Sequence, residues 1–341
     1  MKILVTGGAG FIGSHFTRLA LKRGYKVVII DKLTYAGDLK RIKDILNDIS
    51  FYKCDILNKE FLEHIFEKEK VNIVVHFAAE SHVDKSIIEP DLFLKTNVLG
   101  THTLLEVSKN KKIELFVNIS TDEVYGDIKK KENKVFKETD PLRPSSPYSL
   151  SKTSQDLLGQ SYYRTYKMPI ITIRPSNNYG PWQYPEKFIP VVILKAIKGE
   201  KIPIYGKGEN EREWLYVEDC AQGILNAIEK GKIGEIYNLG SGKTYKNIDV
   251  AKYILSYLDK IYPRKDGKSY LKQISFVKDR PGHDFKYFLD SSKARKNLNW
   301  EPKVSFEEGI KKTITWYINN ISWVEDLERK RGLFNDYWKI Y

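Results

Sequence analysis

Cysteine is scarce: only Cys54 and Cys220 occur in 341 residues. Two are too few for a disulfide framework or a structural zinc site, and each reads as a small buried apolar residue. No apolar run approaches the ~20 residues that span a bilayer. The opening segment, Met1-Lys2-Ile3-Leu4-Val5-Thr6-Gly7-Gly8, lacks the apolar core of a signal peptide, because its glycines come too early. The expectation is a cytoplasmic protein with no membrane role. The six histidines (His15, His64, His76, His82, His102 and His283) lack metal-ligand spacing with carboxylates or cysteines, so no metal is expected. No internal repeat and no low-complexity linker interrupts the chain. Acidic residues are the minority, 44 against 57 basic ones, leaving a charge of +13. The positive charge is spread out, and its longest run is only Lys129-Lys130-Lys131. That pattern fits a basic surface around a small anionic ligand better than nucleic-acid binding.

What is present is the composition of a globular protein, 41% hydrophobic and 30% charged. Short apolar runs alternate with helical patterns through the first half. Lys2 to Thr6 reads as a buried strand, Phe11 to Arg23 as a helix stopped by Gly24, and Val27 to Ile30 as the next strand. Ile73 to Phe77, Leu115 to Ile119 and Ile170 to Ile173 continue the series. Such alternation predicts an α/β fold, a Rossmann-type doubly wound parallel sheet. After Arg174 the chain becomes rich in Pro, Gly, Tyr and Asn. Glu218 to Lys230 reads as a helix and Glu235 to Leu239 as a strand. The expected division is a dinucleotide-binding domain over 1–175, with a returning segment near 214–240. Residues 176–213 and 241–320 form a smaller mixed substrate-binding domain. The tail, 321–341, carries Trp323, Leu327, Leu333, Phe334, Trp338 and Tyr341 and is expected to dock on the body.

Gly7-Gly8-Ala9-Gly10-Phe11-Ile12-Gly13 lies between the first strand and the first helix. Missing side chains at Gly7, Gly10 and Gly13 let backbone approach a pyrophosphate, and the helix N-terminus offers N–H groups and partial positive charge. Asp31 ends the second strand, 18 residues beyond Gly13. A carboxylate there accepts from ribose hydroxyls and repels a 2′-phosphate, which favours NAD over NADP. Downstream, Tyr148 and Lys152 are four residues apart. Pro147 precedes the tyrosine, with Ser145 and Ser146 as candidate caps, so a helix carries both on one face. An ammonium beside the phenol would lower its pKa from ~10 and make it a base for a hydroxyl proton.

A glycine-rich βα turn followed by Tyr-x-x-x-Lys resembles the extended short-chain dehydrogenase/reductase family over residues 1 to 320. Ser120-Thr121-Asp122-Glu123-Val124-Tyr125-Gly126 then follows an apolar strand, at the end where open parallel sheets place ligands. Two adjacent carboxylates suit an elimination, which needs a base for the proton alpha to a ketone and an acid for the departing hydroxyl. Sugar-nucleotide 4-epimerases of the family lack this acid pair. Thr121 to Gly126, His76 to Asp84, Asp31 to Gly37 and Ser176 to Pro181 together resemble the dTDP-glucose 4,6-dehydratases.

That resemblance implies a set of roles. Tyr148 would be the base for the 4-hydroxyl, Lys152 would hold the ribose, and Thr121 would bond the sugar oxygen. Glu123 would take the carbon-5 proton and Asp122 would protonate the leaving 6-hydroxyl. Phe11, Ile12, Lys32, Leu33 and Thr34 would line the NAD cofactor, Asp55 and Ile56 its adenine, and Ala78, Ala79, Thr96 and Asn178 its nicotinamide half. Ser81, Asn177, Lys187, Phe188, Pro203, Tyr205, Arg212, Asn247, Asp279, Arg280 and His283 would meet the nucleotide-sugar substrate. A homodimer is implied, pairing the helix from Val98 with the helix of Tyr148 in a four-helix bundle. Two departures stand out: His15 and Asp38 occupy positions where asparagine is expected. The competing readings are a UDP-sugar dehydratase or 4-epimerase of the same fold, and a non-catalytic NAD-binding scaffold. The scaffold would be expected to lose Tyr148 or Lys152, and both are present.

Overall fold

The computed structural model describes residues 1–331 and residue 339. Its strands are β1 (Lys2–Thr6), β2 (Lys26–Asp31), β3 (Ile49–Lys53), β4 (Ile73–His76), β5 (Leu115–Ile119) and β6 (Ile170–Pro175), then β7 (Asn177–Tyr179), β8 (Ile202–Tyr205), β9 (Glu211–Tyr216), β10 (Ile236–Leu239), β11 (Thr244–Lys246) and β12 (Ile274–Val277). Seven of them form one parallel sheet in the order β10-β6-β5-β4-β1-β2-β3. The order reverses at β1, so the crevice beyond its C-terminal end is a topological switch point, where such sheets bind ligands.

Both faces of the sheet are covered, which explains why the strand sequences are continuously apolar. Ile3, Val5, Val27 and Ile29 join one core, with Phe16 and Ala20 of the helix Phe11–Lys22 and Ile224 of the helix Val217–Lys230. The intervening Leu4, Val28 and Ile30 join the other, with Leu62, Ile65 and Leu104 from the helices Lys59–Glu69 and Thr101–Asn110. The sequence reading omitted β3. It is an edge strand, and four of its five residues are half-buried, with Lys53 exposed.

Beyond β6 a second core gathers Tyr179, Ile193, Trp214, Tyr216, Leu255 and Ile314. It lies among β7, β9 and β11, the β8–β12 pair, and the helices Phe188–Ile197, Asn247–Ile261 and Phe306–Asn319. Trp214 to Tyr216 pair with β7, whereas the helix Val217–Lys230 and β10 return to the large sheet. Ala294, Leu298 and Trp300 also join the large-sheet core, where Trp300 donates to the Asp219 carbonyl at 2.8 Å. The helix Ile321–Arg331 docks through buried Trp323 and Leu327, and Trp323 packs against Trp182 and Trp316. Leu333, Phe334, Trp338 and Tyr341 lie outside the described residues. Among the described residues no helix is long and apolar enough to cross a membrane.

Candidate active site

The glycine turn is built for close approach. Gly7 has φ +69°, and a Cβ there would sit 2.8 Å from the Ala78 nitrogen; a Cβ on Gly13 would sit 2.4 Å from the Gly7 carbonyl. The helix Phe11–Lys22 is capped by Gly10 without a side-chain hydrogen bond, so no side chain competes for its first-turn N–H groups. Asp31 is buried at the end of β2 and accepts from the N–H of Ala9 at 3.0 Å and of Leu33 at 2.8 Å. Burial raises its pKa against those two bonds. Each carboxylate oxygen keeps a lone pair for a further donor. Leu33 itself holds a left-handed backbone, φ +56°, a conformation that persists only where the surroundings enforce it. Lys32 and Asp55 form an ion pair at 2.6 Å, and Ile56 packs where Gly100 leaves room. Ala78 and Ala79 follow β4, and Thr96 lies on the π-helical segment Leu94–Gly100. These residues fit a dinucleotide: a cradle that any side chain would fill, helix N–H groups for phosphates, and a carboxylate for a ribose.

The helix Pro147–Tyr166 begins with a capping box in which Ser146 and Ser149 bond each other's backbone N–H. It is anchored to the sheet by a buried ion pair, Asp156 with Arg174 of β6, through two hydrogen bonds of 2.8 and 2.9 Å. This fixes the height of Tyr148 and Lys152. The ammonium of Lys152 donates to the Ile119 carbonyl at 2.7 Å and to Gln155 at 2.5 Å, and burial lowers its pKa to about 7. Tyr148 hydrogen-bonds with Thr121, yet its pKa is pushed up, first by burial and then by the Glu123 charge. The expected depression of the phenol is therefore not produced by this chain's own groups. Lys152 turns toward the end of β5, and two carboxylates face the phenol.

A cavity of about 550 Å³ opens above the C-terminal ends of β5 and β6. Thr121, Asp122, Glu123 and Tyr148 share its wall with Ile12 and Asn178 from the cofactor set. Ser81, Asn177, Lys187, Phe188, Pro203, Tyr205, Arg212, Asn247, Arg280 and His283 line it as well. Asp279 does not; it stands behind His283, bonding its ring at 2.6 Å. Arg212 is buried and spends its guanidinium on the carbonyls of Glu211, Asp284 and Phe285, over the Tyr287 ring. Arg280 meets Asp84 at 3.4 Å, and its Nε is buried without a partner. The Asn177, Asn178 and Asn247 side-chain oxygens and one Asp122 oxygen are also buried and unpartnered. Orphaned polar atoms lining one cavity mark a site shaped for a polar ligand.

The two carboxylates differ. Asp122 is almost fully buried, and its pKa is driven well above the ordinary value by burial, then by Glu123 and Glu213. Glu123 is part-exposed; burial raises its pKa too, but Arg280, Arg212 and Lys187 pull it back. Both carboxyls are raised, Asp122 the more strongly, because three cations oppose the rise at Glu123.

Sequence reasoning missed Tyr35, which donates to Glu186 at 3.0 Å, and Asp84, which accepts from Tyr205 at 3.0 Å. Both line the cavity. Asp84 stands inside the His76-to-Asp84 motif and Tyr35 inside Asp31-to-Gly37, so the motifs held the signal. Among the described residues no group of three or more His, Cys, Asp or Glu could hold a metal ion.

A model of the family described as GDP-mannose 4,6-dehydratase matches residues 4–313. The chain belongs to this family. It is 46% identical to the dTDP-glucose 4,6-dehydratase of Shigella flexneri, over 96% of both chains, and 47% identical to that of Salmonella typhimurium over the same shares. Among solved structures it is similar to the dTDP-glucose 4,6-dehydratase of Bacillus anthracis in complex with NAD, with TM-score 0.86 and 43% identity over 96% of this chain and 99% of that one. It is also similar to the UDP-glucose 4-epimerase of Thermotoga maritima, with TM-score 0.85 and 34% identity over 94% and 100%. Fold likeness therefore does not separate dehydration from epimerisation.

Proposed function

We propose that this chain converts dTDP-glucose to dTDP-4-keto-6-deoxyglucose with NAD as resident cofactor. The observation that carries the reading is the placement of Asp122 and Glu123, in unlike electrostatic surroundings, on one cavity wall with Tyr148. The relatives' names supply the substrate, and the NAD held by the Bacillus anthracis enzyme supplies the cofactor.

In this reading the bound NAD provides a hydride acceptor for carbon 4, a donor for carbon 6 and a positive charge favouring the phenolate. Tyr148 takes the proton of the 4-hydroxyl, and Thr121 steadies the developing carbonyl oxygen. The 4-ketone acidifies the carbon-5 proton, which Glu123 removes. Asp122 gives its proton to the 6-hydroxyl, which leaves as water. Once hydride has reached carbon 6, Glu123 returns its proton to carbon 5, so the cofactor ends as it began. Arg280, whose Nε is buried without a partner, is suited to grip the diphosphate, while Arg212, already held by three carbonyls, adds positive charge beside it.

The same reading divides the chain into a dinucleotide-binding domain and a smaller substrate domain meeting at the cavity. It also includes a homodimer. Leu99, Leu150 and Leu157 are each about half exposed (54%, 50% and 49%) around the helices Thr101–Asn110 and Pro147–Tyr166, an apolar face suited to a two-fold contact. Two buried free cysteines fit a reducing compartment such as the cytoplasm. Incubation with dTDP-glucose and mass analysis of the product test the function. Loss of one water supports it; recovery of an isomeric hexose refutes it in favour of epimerisation.

A further inference from the structure

Arg41 is among the largest fully buried side chains of the protein, at 0% exposure, on the short helix Leu39–Asp48. Taking a cation out of water is expensive unless its donors are met. Here Nη1 reaches the Ala9 carbonyl at 3.2 Å and also the Ala36 carbonyl, Nε reaches the Trp182 carbonyl at 2.9 Å, and the Trp323 ring lies 5.2 Å away. Among the described residues no carboxylate is hydrogen-bonded to it, and its Nη2 is buried with no hydrogen-bond partner. Its donors go to three segments that meet at the cofactor crevice: the glycine turn, the loop after Asp31, and the loop entering the cavity at Gln183.

Each segment is gripped a second time. The Ala9 carbonyl also accepts from the Asp38 N–H at 3.0 Å, while the Ala9 N–H bonds Asp31. Trp182 has φ +67°, a left-handed backbone that a bulky residue adopts only under constraint. The preceding Pro181 carbonyl is held by the His15 ring at 3.0 Å. Asp38 takes the indole N–H of Trp323 at 2.8 Å, linking the assembly to the helix Ile321–Arg331. His15 and Asp38, the two departures from the expected asparagines, thus both belong to this assembly.

We propose that Arg41 is a positioning residue for the dinucleotide site, fixing the Ala9 peptide of the glycine turn from behind and making cofactor retention depend on the docked helix Ile321–Arg331. This rests on the NAD reading above. The guanidinium fork alone can bond three diverging carbonyls; a lysine has charge but no fork, and a methionine has neither.

The test is titration calorimetry of apoprotein with NAD, and separately with thymidine diphosphate, on wild type, Arg41→Met, Arg41→Lys and Trp323→Phe. Loss of one charge-assisted hydrogen bond corresponds to about a tenfold change. Both Arg41 variants should bind NAD about tenfold or more weakly, with thymidine diphosphate affinity within about twofold of wild type. Saturating added NAD should restore kcat. Trp323→Phe keeps an aromatic ring but loses the bond to Asp38, and should bind NAD about threefold more weakly. Unchanged NAD affinity, or a parallel loss of both ligands as from general destabilisation, overturns the proposal. If Arg41→Met does not fold, Arg41→Lys and Trp323→Phe decide it by the same readout. Failure of the wild type to bind NAD would refute the cofactor reading instead.

Discussion

Replacing Glu123 by Gln should separate oxidation from elimination. The side chain keeps its size and one hydrogen-bonding oxygen but loses the base. A positioned acid or base contributes about 100- to 10,000-fold, or about 3–5 kcal/mol of barrier, and turnover should fall by that much. The structure adds a sign for the first step. Glu123 is one of the charges that push the Tyr148 phenol up, after burial itself. Removing that charge makes the phenol easier to ionise, so oxidation at carbon 4 should proceed at least as readily as before. The variant should therefore accumulate reduced cofactor and a hexos-4-ulose. Tyr148→Phe should do the opposite and form neither. The assay is absorbance at 340 nm in a single turnover, with the sugar identified by mass after quenching. Normal dehydration by the Glu123 variant, or accumulation of reduced cofactor by the Tyr148 variant alone, refutes the division of labour.

Asp31 should make the protein bind NAD far more tightly than NADP in a fluorescence titration, and equal affinity would dismiss its ribose role. Gly13→Ala should abolish NAD binding, since the new Cβ would lie 2.4 Å from the Gly7 carbonyl, which is backbone and cannot swing aside; retained binding would contradict this. Asp156→Asn should destabilise the fold by about 3–5 kcal/mol in denaturant titration, because it strands the buried Arg174 cation. Burial alone would raise the Asp156 carboxyl, but Arg174 holds it low. The pair's stabilisation is therefore full above about pH 4 and lost as pH falls through the lower folded value, a dependence the variant should lack.

How legible all this was depends on how local each signal is. The positions of the glycine turn, Asp31 and the Asp122–Glu123 pair were readable because each adjoins a strand or helix that the local pattern marks. The helix start at Pro147 was readable from its serines, and the capping box confirms the reason. What the sequence hid is long-range. Tyr35 meets Glu186 across 151 residues, Arg41 meets Trp182 across 141, and Trp323 meets Asp38 across 285. No periodicity encodes such pairs. Arg41 on a short amphipathic helix would pass for a solvated charge. The Tyr148–Lys152 pair shows the converse limit. Four-residue spacing correctly placed both on one helix face, but spacing says nothing of Ile119, whose carbonyl takes the ammonium.

The proposed reaction requires adjacent residues on one backbone to end in opposite protonation states. Thr121 ends β5's extension in an extended conformation, and the tight turn Asp122–Tyr125 begins immediately after it. That turn buries Asp122, where its charged form is disfavoured by burial, then by the Glu123 and Glu213 charges. It sends Glu123 outward to the cavity, where Arg212, Arg280 and Lys187 supply positive charge. Of those cations, Arg280 is also suited to grip a diphosphate in the proposed reading, with Arg212 adding positive charge beside it. In that reading a bound diphosphate would offset the positive charge that opposes the rise at Glu123 and so strengthen it as a base once substrate is present. Binding and base strength would then be one electrostatic arrangement, and under the proposed mechanism the adjacency of two carboxylates, wasteful on a surface loop, is the means of dividing acid from base.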